Sequence, residues 1–102
     1  MLFLTSEEEL ILKPKFQMLY FYASWMPYHK KMINMISKME QKYKDIDFFA
    51  IDVDGFKSFI KRFEINSIPT ITILNNGKEI KRLEGLILTS VIKAAFVDIC
   101  KV

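Results

Sequence analysis

A layered α/β domain, with a mixed sheet covered by helices on both faces, is the fold class this sequence predicts. Three observations predict it. Residues 16–23, Phe-Gln-Met-Leu-Tyr-Phe-Tyr-Ala, carry no charge and read as a strand buried on both faces. Strand-like and helix-like patterns alternate from the start of the chain to Phe63. Asn75-Asn76-Gly77 separates two strand-like runs, and Asn-Gly there is a strong hairpin signal because both residues tolerate positive φ.

The elements follow in order. Leu2-Phe3-Leu4 is a short apolar start. Ser6 with Glu9 three residues later makes an S-x-x-E capping box, and three glutamates in the first turn suit the helix dipole, so a short helix is expected there. Pro14 should stop it, since proline lacks the N–H of an interior helical position. After the buried strand, Pro27 suits a first turn, and Met32, Met35, Ile36, Met39 and Tyr43 recur at helical spacing, which predicts a long amphipathic helix reaching about Lys44. That spacing marks the methionines as core rather than as a sticky surface. Residues 46–53 form another strand, and Phe56, Phe59, Ile60 and Phe63 mark a shorter helix. Residues 71–74 and 79–83 flank the Asn-Gly turn as antiparallel neighbours, and Thr89 can cap a closing helix striped by Ile92, Ala95, Phe96 and Ile99.

At 102 residues, 51% of them apolar and 14% aromatic, the chain is expected to fold as one domain over 1–102. Its +3 charge is shared among Lys30–Lys31, Lys57–Lys61–Arg62 and Lys78–Lys81–Arg82, without the dense basic stripe that nucleic-acid binding shows, so no nucleic-acid partner is expected. A single cysteine, Cys100, excludes an intramolecular disulfide and favours a cytoplasmic location. No leader, membrane span or cofactor is expected.

Three local patterns narrow the fold. Phe21-Tyr22-Ala23-Ser24-Trp25-Met26-Pro27-Tyr28-His29-Lys30 resembles the thioredoxin pattern F-W-A-x-W-C-G-P-C-K. Asp52-Val53-Asp54 resembles that family's N-x-D, and Ile65-Asn66-Ser67-Ile68-Pro69-Thr70 its I-x-x-I-P-T. Asn76-Gly77-Lys78-Glu79 and the later Gly85 match its hairpin. The resemblance spans essentially the whole chain. It implies a thioredoxin-like three-layer α/β/α sandwich with a mixed, mainly parallel sheet and an antiparallel C-terminal hairpin, and a cis peptide bond before Pro69. Read alone, that proline could equally open an edge strand in the trans form.

By the same resemblance, Met26 and His29 occupy the positions of the two exchanging cysteines. Neither can form the mixed disulfide through which exchange passes. Tyr20 stands at the family's buried acid, Ala50 at the lysine that approaches it, and Asn34 at a helix proline. Cys100 lies far along the chain from the helix N-terminus that activates thiols. His29 has no nucleophile or orienting carboxylate beside it in sequence, and Met26 with His29 could interest only a soft cation, so neither catalysis nor a metal site is expected.

What survives is a cleft. Trp25, Met26, Pro27 and Tyr28 form an aromatic and apolar cluster that the fold would set beside Ile68 and Pro69, where thioredoxins hold an extended substrate segment. The expectation is therefore a redox-inactive module that binds a protein or an extended peptide, with binding favoured over catalysis. The alternatives are a diverged thiol–disulfide oxidoreductase acting through Cys100 or a partner's thiol, and a subunit that stiffens a larger complex.

Overall fold

The computed structural model describes residues 1–85 and 89–99. The element order is β1 (Leu2–Phe3), a 3-10 turn (Glu7–Glu9), β2 (Phe16–Tyr22), α1 (His29–Lys42), β3 (Asp47–Asp52), α2 (Lys57–Arg62), β4 (Thr70–Asn75), β5 (Lys78–Glu84) and α3 (Thr89–Ile99). The strands form one sheet in the order β1-β3-β2-β4-β5. β3 runs parallel to both β1 and β2, whereas β4 is antiparallel to β2 and to β5, so the sheet is evenly mixed.

Alternation along β2 divides the core in two. Met18, Tyr20 and Tyr22 face α1 and α3 and pack with Met32, Ile36, Met39, Ile92 and Phe96. Leu19 and Phe21 face the opposite way, toward Phe59 of α2, with Leu4, Leu10 and Ile51. Helices thus cover both faces and leave β2 almost without contact with water, as its uncharged sequence predicts. Of the methionine series, Met32 and Met39 are buried and Met35 partly so, which places the series in the core.

Several boundaries differ from expectation. The helix expected after Ser6 is a single 3-10 turn, although the Glu9 carboxylate accepts from the Ser6 N–H at 2.9 Å as a capping box requires. It ends at Leu10, before Pro14 can act, because Leu10 turns extended and buries its side chain beneath the sheet. Gln17, fully buried in β2, holds the segment between that turn and its own strand. Its Oε1 accepts from the Lys13 N–H and its Nε2 donates to the Ile11 carbonyl, both at 2.9 Å. Helix α1 begins two residues after Pro27 because Tyr28 takes the left-handed conformation, φ 67°. The hairpin forms as expected, with Asn76 and Gly77 both at positive φ. The side chains of Thr89 and Ile99, and Cys100 altogether, lie outside the described residues.

One buried group stands unsatisfied: among the described residues the Thr72 Oγ1 has no hydrogen-bond partner. Thr72→Val keeps the shape and removes the orphan, so it is expected to raise stability by about 1 kcal/mol. A urea midpoint that falls instead would show that the hydroxyl is bonded in solution.

Candidate functional site

The site lies at the C-terminal end of β2. Since Phe21 is in register with Thr70, the chain leaving β2 passes beside the Ile68–Pro69 segment that enters β4. The Ile68–Pro69 peptide is cis, Pro69 is buried, and Ile68 packs on both core clusters. From Ala23 the chain turns tightly, the Met26 N–H donating to the Ala23 carbonyl at 3.0 Å and the His29 N–H to the Met26 carbonyl at 3.3 Å.

The turn separates residues that the sequence reading grouped together. Trp25 and Tyr28 stand outward, 70% and 60% exposed, and Pro27 is exposed between them. Met26 instead points inward and joins the α1 side of the core. A hydrogen bond from Trp25 Nε1 to Asp54 Oδ2, 3.0 Å, fixes the indole, and the Asp54 N–H donates to Asp52 Oδ1 at 2.9 Å. The Asp-x-Asp segment is therefore a bracket for the tryptophan.

His29 opens α1 and is only partly exposed. Its Nδ1 lies 3.1 Å from Tyr20 Oη, and its ring stacks on that of Tyr22 with centroids 4.4 Å apart and planes 12° from parallel. Tyr20 and Tyr22 also stack on each other at 5.2 Å. Burial lowers the His29 pKa below its ordinary value of 6.5, opposed in part by the negative charge of Asp52. Burial, reinforced by Tyr22, pushes the Tyr20 hydroxyl well above the ordinary tyrosine range, so it stays a neutral hydrogen-bonding group.

Sequence reasoning left His29 without a partner, and the structure supplies one in Tyr20. The signal was present: residues 20 and 22 share one face of a strand, and that face meets the first turn of the next helix. Tyr20 is also in register with Ala50, so the two positions that the resemblance likens to a buried acid and a lysine are direct neighbours across β2 and β3, and neither bears a charge. Met26 is buried in the core, and His29 Nδ1 is engaged by Tyr20. Among the described residues no cluster of three or more His, Cys, Asp or Glu could hold a metal, and no helix is long and apolar enough to cross a membrane.

The His29 shift has a consequence for stability. With its folded pKa lowered, the folded state binds fewer protons than the unfolded state just below pH 6.5. The contribution is therefore fully present above about pH 6.5 and is lost as pH falls through that window. Urea midpoints at pH 7.5 and 5.5 should differ less in His29→Gln than in the parent, and an equal difference would show that His29 titrates normally.

The sequence model of the family described as "Thioredoxin" matches residues 3–98. Thioredoxin-1 of Saccharomyces cerevisiae is 34% identical over 65 residues, 64% of this chain and 63% of the yeast protein. The matched stretch thus spans less than two thirds of that relative's length. Human glutaredoxin-3 is 29% identical over 80 residues, 78% of this chain and 24% of that protein. Mitochondrial thioredoxin 3 of Saccharomyces cerevisiae, solved in its oxidised form, superposes with a TM-score of 0.83 at 27% identity, covering 95% of this chain and 93% of the other.

These relatives correct the expected function. They are named thioredoxins and a glutaredoxin, thiol–disulfide oxidoreductases, which favours the alternative of thiol–disulfide chemistry over a redox-inactive binding module. Physically, what Met26 and His29 lack is only a thiol at those two positions. That loss removes exchange at those two atoms but leaves a thiol elsewhere in the chain, or on a bound molecule, free to react. With residues 3–98 matched and the layered sheet shared across nearly its full length, this chain belongs to the thioredoxin family.

Proposed function

We propose that this chain is a diverged thiol–disulfide oxidoreductase whose exchanging thiol is supplied by Cys100 or by a bound partner. The observation that carries the reading is that the turn holds its aromatic side chains outward beside the Ile68–Pro69 segment although it carries no thiol. Trp25 is held by Asp54, Tyr28 stands out beside it, and Ile68 and Pro69 border the turn that bears them. An exposed aromatic surface of this kind suits an extended protein segment carrying the thiol or the disulfide, with Trp25, Pro27 and Tyr28 as contact residues and Met26 buried beneath them. With a single cysteine the chain cannot store an internal disulfide, which supports work in the reducing cytoplasm.

Insulin reduction with dithiothreitol tests this, dithiothreitol serving as the partner thiol. The full chain is expected to accelerate reduction over dithiothreitol alone. Loss of the acceleration in Cys100→Ser assigns the thiol to Cys100, and its persistence assigns it to the partner. A chain that adds nothing to dithiothreitol would refute the reading.

A further inference from the structure

The least expected feature of the site is how completely the one histidine is held. From β2, Tyr20 engages Nδ1 and Tyr22 covers a face of the ring. From the end of β3, Asp52 contributes the negative charge that acts on it, while Ile71 and Ile73 of β4 and Ile92 and Phe96 of α3, in the same core cluster, bear none. Lys30 and Lys31 follow it on its own helix. Nε2 has no hydrogen-bond partner among the described residues and is the ring nitrogen left for chemistry.

The Tyr20 hydroxyl suits this arrangement in both charge states. It can accept from Nδ1–H, which leaves the Nε2 lone pair open, and the same bond persists unchanged when Nε2 takes up a proton. A buried hydroxyl with one partner therefore stays paired through a full protonation cycle, and no group needs to move.

We propose that His29 is the acid–base residue of the exchange site, accepting a proton at Nε2 from a thiol docked at the start of α1, with Tyr20 as its positioning residue. This rests on the thiol–disulfide reading above. In the step, an incoming thiol R–SH gives its proton to Nε2. The resulting thiolate attacks one sulfur of a substrate disulfide R′–S–S–R″, the R′S–SR″ bond breaks as an R–S–S–R′ bond forms, and the departing R″–S⁻ takes the proton back from His29. Electrons pass from thiol to disulfide and the protein ends unchanged. Met26, adjacent and unable to ionise, offers no competing acid.

The test uses the full chain with dithiothreitol as the thiol and, as the disulfide, oxidised glutathione carrying two self-quenching dyes, from pH 5.5 to 8.5. Because the chain has one histidine, proton NMR follows the His29 titration without ambiguity. The catalysed rate is expected to bend at the pH where His29 titrates. His29→Gln should lose that bend and at least about tenfold of the catalysed rate, within what general acid–base catalysis supplies. Tyr20→Phe should move the NMR midpoint and the bend together. If the parent accelerates exchange and His29→Gln keeps both rate and profile, or if Tyr20→Phe moves the midpoint and not the bend, the inference is overturned and the oxidoreductase reading stands. If the parent accelerates nothing, both fall.

Discussion

Replacing Phe96 by alanine is expected to cost about 3–5 kcal/mol, a large fraction of the stability of a domain this size. Phe96 is fully buried on α3 and packs against Tyr43 at 5.1 Å and Phe48 at 5.8 Å between ring centroids. It is the largest side chain that α3 places in the core cluster shared with α1, so its removal opens a cavity where three elements meet. Urea denaturation reads the effect directly. A loss under 1 kcal/mol would mean that α3 is not docked in solution as described.

The second large effect is at Tyr20. Its ring is fully buried and stacked on Tyr22, and Tyr20→Ala should cost about 3–5 kcal/mol for the same reasons of lost contact and cavity. Tyr20→Phe separates the two roles of the side chain. It keeps the ring and should cost only about 1 kcal/mol, the net worth of the hydrogen bond to His29. Equal losses in the two variants would assign the stabilisation to the hydroxyl rather than to packing, against this account.

These two residues show what kind of information the chain carries openly. Phe96 was legible because helical periodicity alone puts it on the stripe with Ile92 and Ala95, and the structure buries all three. The burial of β2 was legible because an uncharged run of that length has no other stable place. The hairpin was legible because few residue pairs tolerate two consecutive positive φ values. In each case a local rule and the tertiary environment demand the same thing.

The candidate site was legible only in part. The motif pointed to residues 25–29 and 68–69, and the β2–β4 register brings them to one end of the sheet. It did not say that Met26 turns into the core while its neighbours turn out, because a tight turn reverses side-chain direction within two residues and no periodicity describes it. Nor did it foresee that Tyr28 takes φ 67° and delays the helix, since a non-glycine residue in that region is held there by its surroundings and not by its own preference. The capping box at Ser6 shows the opposite failure. The local signal was present and satisfied, yet burial of Leu10 stopped the helix after one turn.

By itself the sequence determined the order of strands and helices from β2 onward, the two-faced core and the absence of ionisable sulfur at residues 26 and 29, because these depend on residue type and on spacing along the chain. Only the tertiary structure decided that Tyr20 and Tyr22 grip His29, that Asp54 anchors Trp25, and that Gln17 holds the segment before its own strand. Each of these joins groups across different elements, and hydrogen bonding acts over about 3 Å in space whatever the separation along the chain.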